Sequence, residues 1–537
     1  MTRVLELLSL SFLLSAFCGL GAQAQTINVA SCSQSAVSAA LNSITVDGTV
    51  VVVPAGTCAW TTGINYTQTH SFTLQGAGAI YGDGSGTNTN GIGTDSTIIQ
   101  DSVSGNPIMM FTLISGKSFR MTGIAFSEVS GGVKNAGQIV LQGFSTAARI
   151  DHNHFNQLTG NQVIAIENCV YGVSDHNQID ATASGTAFSY RIHHGKCNGD
   201  PTDDGDGAWA DSSHWGSSSF FFIENNNFQM LPLNSGSHNF DFDCGRGGRF
   251  VFRYNYSGYH METQTHAVSG STGSDDNSRP CRAHEQYNNI FAWSSNPSSD
   301  YSGMLEDSES GSGLFFNNST VGFARIQRVD VVRQNNATYP QTAPPNGWGY
   351  CGTTLGPSAW DGNTDATGYP CLDQVGRGRG DLLTGPFPNK IDSVTGKISW
   401  PNQAPDPWYM WNITYTAPPD SHDTWWDDFD TPAVTQENRD YYLQLPNYKE
   451  SATFNGTAGI GVGTHAQRLT FTTCKAGPGG NTPGVGFWET DTQTLYVCNP
   501  TNTWTTYYQP YTYPHPLTQS SSATQPAAPT GLTALVQ

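Results

Sequence analysis

One short phrase returns along the middle of this chain and limits what the chain can become. It reads FFFIENNNF at Phe220–Phe228, FVFRYNYSG at Phe250–Gly258 and AHEQYNNIF at Ala283–Phe291. In each copy apolar or aromatic residues fall on alternate positions, an Asn follows, and then a turn. Alternation with period two marks a strand with one buried face. Aligning on the Asn before the turn adds IDHN, SDHN and FFNN, so that the anchors are Asn153, Asn177, Asn226, Asn255, Asn289 and Asn318. Successive anchors lie 24, 49, 29, 34 and 29 residues apart, the 49 reading as two coils or one coil with a long insertion. A phrase returning at such a period is the mark of a stacked repeat.

No helical pattern separates the copies, so the repeat predicts an all-β, parallel β-helix. In such a solenoid one coil cannot bury its apolar face without neighbours above and below. Ile150, Ile223, Phe252 and Phe315 point inward on this reading, and Asp151, Asp175, Glu224, Arg253 and Tyr287 point outward. The anchor column fits an asparagine ladder at a corner. Stacked amides bond from coil to coil there, and Asn tolerates left-handed dihedrals.

Residues 1–24 read as a secretory signal, with Arg3 as its charge, Leu5 to Leu20 as its apolar run and Ala22-Gln23-Ala24 as its cleavage site. The run is too short to span a membrane. The mature protein is therefore expected to be secreted, soluble and monomeric. Eleven cysteines include Cys18 in the signal and leave an even ten, as in a disulfide-bonded exported chain. Connectivity is open. Near neighbours suggest Cys32–Cys58, Cys169–Cys197, Cys244–Cys281, Cys351–Cys371 and Cys474–Cys498. Forty-three acids against twenty-three bases give a net charge of −20. That charge argues against nucleic acid and anionic membranes as partners.

SQSAVSAALNSI (Ser33–Ile44) is an amphipathic helix with Val37, Ala40, Leu41 and Ile44 on one stripe. It precedes the four-valine strand in VDGTVVVVPAGTCAW and is placed to cap the open end of the solenoid. The β-helix is assigned to 25–335. A loop-rich insertion stapled by two cysteines follows at 336–430, then a closing β segment at 431–517 and a flexible tail at 518–537. WYMWNITY (Trp408–Tyr415) reads as a strand, HDTWWDDFD (His422–Asp430) as a loop, and RLTFTTC (Arg468–Cys474) as part of the closing sheet.

VVVPAGTCAW followed by LQGAG, with the N-x-F coil ends, resembles the pectin-lyase-like right-handed parallel β-helix superfamily. The nearer resemblance is to secreted bacterial β-helix proteins carrying (Y/F)IE-x-N-x-F, then GGR-x-VFR-x-N, then HG…RG-x-R-x-x-E-x-Y-x-N. Those segments stand here as Phe222–Phe228, Gly247–Asn255 and His266 through Asn289. Ala267 and Pro280 replace the usual glycines. The resemblance implies a right-handed solenoid and a carbohydrate-active secreted protein. The fold itself hosts lyases, hydrolases and inert fibres.

Two chemistries suit the charged residues. A polysaccharide lyase neutralises a uronate carboxylate and removes the C5 proton, work for Ca²⁺, Arg or His. Arg249, Arg253, Arg282 and His266 are candidates, with Asp243 and Glu285 as orienting partners or cation ligands and Arg246 and Arg279 as substrate contacts. Trp348 and Trp360 are candidates for stacking on sugar rings. Outward residues of adjacent coils stand about 4.8 Å apart, so Asp151, Asp175 and Glu224 line up as a column whose oxygens suit Ca²⁺. A glycoside hydrolase needs two carboxylates instead. Asp241 and Asp243 share a strand face, roughly 6–7 Å apart. The expected partner is a polysaccharide, cleaved by elimination as the first reading and by hydrolysis as the second. The third reading is a non-catalytic glycan-binding or surface structural protein.

Overall fold

The computed structural model describes residues 25–105, 107–128, 137–157, 162–181, 188–198, 205–209, 211–230, 240–258, 263–265, 280–292, 304–323, 325–329, 375–379, 403–416, 424–427, 435–446 and 452–519. It is all-β, built on long parallel sheets, here named A, B and C. The chain visits them in turn. Arg249–Arg253 lies in A, Tyr256–Gly258 in B and Thr263–Thr265 in C, after which Ala283–Tyr287 returns to A. Each strand pairs in parallel with its counterpart one coil on, as Phe252 with Gln286 and then Gln286 with Phe315. Sheets A and C are continuous through Ile139–Asp151, which pairs in C at its start and in A at its end. These pairings are compatible with a parallel β-helix.

The inward positions are those the alternation requires. Ile150, Ile223, Phe252 and Phe315 belong to one buried core cluster. Two members of that row are polar and partnered inside. Ser174 Oγ lies 2.7 Å from Tyr190 Oη, and Gln286 Nε2 donates to Glu306 Oε2 at 2.8 Å.

At the corner after sheet A the anchor asparagines form a continuous ladder. Asn153 Nδ2 donates to Asn177 Oδ1 (3.1 Å), Asn177 to Asn226 (3.0 Å), Asn226 to Asn255 (3.1 Å), Asn255 to Asn289 (3.3 Å) and Asn289 to Asn318 (3.0 Å). The left-handed residue is the one before the anchor, not the anchor itself. His152, His176, Asn225, Tyr254, Asn288 and Asn317 have φ of 54, 55, 57, 56, 58 and 54°. That residue turns the chain, so the anchor keeps ordinary dihedrals and aims its amide along the stack.

A segment of residues 79–96 straps the outside of sheet B. Asn227 Nδ2 donates to the Asn88 carbonyl (2.8 Å), and Gln178 and Gln229 both donate to the Thr89 carbonyl. Gly84 has φ +66°, and a Cβ there would lie 2.0 Å from the Tyr254 carbonyl oxygen, so the close approach requires glycine. His154 holds the strap's end between Asp95 (2.8 Å) and Asp180 (3.0 Å). Burial opposes the imidazolium, yet these two carboxylates hold its pKa up at about 9.

The outside of sheet A is covered by the C-terminal residues. Ile460–Gly463, Gly486–Glu489, Thr494–Cys498 and Trp504–Tyr508 form a four-stranded mixed sheet. Its Phe487, Trp488, Leu495 and Tyr508 share a second core with Val173, Phe222, Val251 and Leu314 on sheet A. RLTFTTC does not form the strand expected of it. Thr464 and Gln467 close a capping box around a one-turn helix at His465–Arg468, and an irregular segment follows. The coil also returns inside the stretch expected to be an insertion. Trp408–Trp411, Thr414–Thr416 and Thr424–Asp427 pair in register with Ser312–Phe316, Ser319–Val321 and Arg325–Val329. HDTWWDDFD therefore contributes a strand where a loop was expected.

At the N-terminus a helix spans Gln34–Asn42, with Ser33 accepting from the Ala36 amide and Val37, Ala40 and Leu41 buried. Among the described residues four disulfides are present: Cys32–Cys58, Cys169–Cys197, Cys244–Cys281 and Cys474–Cys498. They match the neighbour pairing and fit an oxidising compartment. Cys351 and Cys371 lie outside the described residues, as does the 1–24 segment. No helix among the described residues is long and apolar enough to cross a membrane.

Candidate functional site

The outward acids of sheet A do not line an open groove. Asp151, Asp175 and Glu224 are each fully buried. Arg120 grips Asp151 through Nε and Nη2 at 2.7 and 2.6 Å, and Arg149 grips Asp175 at 2.9 and 2.8 Å. Arg253 Nε meets Glu224 Oε2 at 2.7 Å. Arg120 and Arg149 thus hold Asp151 and Asp175 through both carboxylate oxygens, and Arg253 holds Glu224 Oε2 while Oε1 accepts the His515 N–H, so the oxygens of the column are already committed. It does not fit Ca²⁺, which needs six to eight oxygens free to coordinate. Among the described residues no group of three or more His, Cys, Asp or Glu is arranged to hold a metal.

The arginines expected to be catalytic serve the same covering. Arg253, fully buried, also donates to Tyr287 Oη (2.9 Å) and to the carbonyls of Tyr511 (2.7 Å) and Thr512 (2.9 Å). It ties the C-terminal segment down. Arg282 Nη1 meets Asp406 Oδ2 at 2.9 Å and Ser312 Oγ at 3.3 Å. Among the described residues the Arg249 guanidinium donates to the carbonyls of Gly247, Ala208 and Ser212. Arg246 is half-buried in a turn at φ 52°. A substrate has no route to the three buried guanidiniums, so their expected roles on substrate give way to structural ones. The side chain of Asp241 lies outside the described residues, as do His266, Arg279, Trp348 and Trp360.

Glu285 is buried at the same seam, accepting the Gly216 N–H (2.8 Å) and the Tyr508 hydroxyl (2.7 Å). Burial raises its pKa from 4.5 to about 7, with these bonds and Arg253 opposing. A carboxyl whose folded pKa is raised contributes stability that is present below pH 4.5 and lost as pH climbs through about 7. Glu285→Gln keeps an acceptor for Gly216 without the charge. Its thermal midpoint is expected to match the wild type at pH 4.5 and to exceed it at pH 8. Equal differences at both pH values would show that ionisation of Glu285 is not the cause.

Asp243 stands elsewhere, on the outer face of sheet C. There Ala165 pairs with Arg191 and Arg191 with Asp243, while Glu167 pairs with His193 and His193 with Gly245. Three successive coils therefore bring Glu167, Arg191, His193 and Asp243 together. Arg191 Nε lies 3.3 Å from Glu167 Oε1 and 3.9 Å from Asp243 Oδ2. His193 Nδ1 lies 3.8 Å from Glu167 Oε2, and its Nε2 lies 3.8 Å from Asp243 Oδ2. A guanidinium and an imidazole thus sit between two carboxylates. The same Arg191 nitrogen is 3.1 Å from His193 Nδ1, so the two cationic-type groups also touch. A Cβ at position 245 would come within 3.2 Å of His193 Nε2, so Gly245 leaves the ring its bed. Gln264, Asp307, Arg328 and Asp427 continue the Asp243 row in register along the sheet.

Side-chain exposures of 17, 16, 8 and 12% for Glu167, Arg191, His193 and Asp243 leave a small part of each group in contact with solvent. The coupling of these groups across coils depends on the separation of positions 167, 191 and 243 by uneven loops. No anchor Asn marks a sheet C strand, so the repeat did not reveal it. The usable signal was the alternation in SYRIH beside FDFDC, which puts Arg191 and His193 on the same face as Asp243.

No protein-family model matches the chain, and no curated protein matches it. Among solved structures the chain is similar to Geobacillus virus E2 - ORF18, at 12% identity over 57% of each chain with a TM-score of 0.26. The chain thus spans a little over half the length of that protein.

Proposed function

We propose that the chain is a secreted, right-handed parallel β-helix, closed at its N-terminal end by the Gln34–Asn42 helix, that cleaves an acidic polysaccharide by β-elimination at Glu167, Arg191, His193 and Asp243. The observation that carries this reading is the guanidinium and imidazole held between two carboxylates on sheet C. A uronate presents a carboxylate beside an acidic C5–H. Arg191 suits the carboxylate, because a planar guanidinium binds it bidentately and stabilises the charge that grows as C5–H breaks. His193 takes that proton, its ring lying beside Arg191 and between the two carboxylates as a positioned base. Glu167 and Asp243 fix both groups from either side. The pair left behind on C5 forms the C4–C5 double bond, and the C4 oxygen departs with the rest of the chain.

A hydrolase remains the second reading. Glu167 Oε1 and Asp243 Oδ2 lie 3.3 and 3.9 Å from the same Arg191 nitrogen, so these oxygens are no more than about 7 Å apart, compatible with the spacing of inverting carboxylates. The Arg191 guanidinium between them favours elimination.

Uronate and neutral polysaccharides, each with Ca²⁺ or EDTA, separate the readings. New reducing ends with the ultraviolet absorbance of an unsaturated uronate are expected. In that assay His193→Ala should lose about a hundredfold or more in kcat, with its circular dichroism unchanged. Reducing ends without absorbance would move the reaction to hydrolysis by Glu167 and Asp243. Silence across the panel would leave a glycan-binding protein.

A further inference from the structure

We propose that a lane of uncharged side chains on the outer face of sheet C, made by Thr67, Thr112, Gln142 and Phe144, binds neutral sugars beside the cleaved uronate. The substrate is then a heteropolysaccharide in which uronate and neutral sugar alternate. This inference rests on the elimination proposed above and adds what must flank the reacting residue.

The lane follows from the coil. Ile64–Thr67 buries Ile64 and Tyr66 and leaves Thr67 exposed, while Met109–Leu113 buries Met109, Phe111 and Leu113 and leaves Thr112 half-buried on the other face. Parallel pairing sets Thr67 beside Thr112 and Thr112 beside Gln142. Leu141 pairs with Ile166, which brings Gln142 alongside Glu167, and Glu167 pairs in turn with His193. At about 4.8 Å per coil, the lane runs about 14 Å along the stack before it meets Glu167. Gln142 Nε2 donates to Thr112 Oγ1 at 2.9 Å, which fixes the amide in the lane. An amide has a second hydrogen and an acceptor oxygen to offer a ligand.

Phe144 lies two residues beyond Gln142 in the same strand and is 53% exposed. Gly143 between them has φ +102°, and a Cβ there would collide with the Leu113 carbonyl oxygen. The glycine thus lets the strand press against the preceding coil while Phe144 stands out from it. A phenyl face packs on the C–H face of a pyranose, and hydroxyl and amide groups match the hydroxyls at its rim.

Charge selects the kind of sugar. The four lane residues are neutral, and the next member of the row, Glu167, is an acid. A uronate seated at Gln142 would exchange water for neutral dipoles and face a like charge. A neutral sugar meets neither cost. The guanidinium that welcomes a carboxylate belongs to Arg191, one coil beyond Glu167. A homopolymer of uronates puts a carboxylate against the lane wherever it binds, whereas an alternating polymer places a neutral sugar there.

Polygalacturonate and alginate, which are all uronate, are compared with hyaluronan and the rhamnose–galacturonate backbone of pectin, which alternate uronate with neutral sugar. Unsaturated uronate is expected from an alternating polymer at a kcat/KM about tenfold or more above either homopolymer. On it, Gln142→Ala and Phe144→Ala should each raise KM roughly three- to tenfold, with a smaller change in kcat. Thr112→Val, which keeps the shape and removes the hydroxyl, serves if either variant does not fold. Homopolymers cut as fast as alternating ones, with KM indifferent to these variants, would overturn the lane and leave the elimination standing. If none is cut, retardation of the protein in native gels cast with each polymer decides. Retardation confined to the alternating polymers and weakened by Gln142→Ala would keep the lane and remove the elimination. No retardation, or equal retardation by both classes, would overturn the lane too.

Discussion

Arg253→Ala is expected to lower stability by about 3–5 kcal/mol, because it leaves the buried Glu224 carboxylate without its guanidinium. Glu224 and Arg253 are both fully buried and meet at 2.6 Å. The loss extends to the C-terminal segment, whose Tyr511 and Thr512 carbonyls lose their donor. Two readouts are expected to move together: the denaturant midpoint falls, and a protease added under native conditions cuts near residue 511 first. Replacing Glu224 and Arg253 together by methionine should recover a substantial part of the loss, since an apolar pair of similar volume avoids the orphaned charge. A loss below about 1 kcal/mol for the single variant, the range of exposed pairs, would sink this account. Turnover by folded Arg253→Ala should stay near the wild type, in contrast to His193→Ala.

Asn226→Ala is expected to cost about 3 kcal/mol or more. The amide is engaged on every side: its Oδ1 accepts Asn177 N and Nδ2 at 2.8 and 3.0 Å. Its Nδ2 donates to the Ser174 and Glu224 carbonyls and to Asn255 Oδ1. Each buried partner left unmet costs about 1–3 kcal/mol, and neighbouring rungs are weakened with it. Asn318, at the far end of the ladder, accepts from Asn289 and donates to the Gln286 carbonyl. Asn318→Ala should therefore cost less than Asn226→Ala in the same unfolding experiment. Equal costs would mean that the amides act singly and not as a ladder.

The asparagine anchors were legible because they are a local feature repeated: alternation, Asn and turn lie within nine residues of one another. The inward residues followed for the same reason, since period two fixes a side chain's face whatever lies beyond. What alternation does not encode is the covering of that face. Glu224 and Arg253 point outward as expected, but the residues closing over them come from Tyr511 onward, 258 positions after Arg253. Outward was therefore mistaken for exposed, and buried tethers looked like catalytic groups. Of the site residues named from sequence, Asp243 stands on sheet C beside groups suited to chemistry. Glu167, Arg191 and His193 were missed because they sit one and two coils away, across loops whose lengths conceal the register. WYMWNITY was legible as a strand, but its place in the coil was hidden in the same manner, since paired residues stand 95 positions apart at Leu314 and Tyr409 and 99 apart at Arg325 and Thr424.

The tethering of the last residues to the middle of the solenoid also sets an order of events in time. A chain made from its N-terminus presents Glu224 and Arg253 to solvent well before Tyr511 and Thr512 exist. Until then sheet A has a wet charge ladder beside bare Phe222 and Val251. The nascent protein accordingly passes through a long stage in which its repeats are stacked but one flank is unfinished. The cover over sheet A arrives with residues 460–517 and not in proportion to length. A stop codon that removes them takes away the seal on coils formed hundreds of residues earlier, so truncations near the end are predicted to be as damaging as lesions in the core.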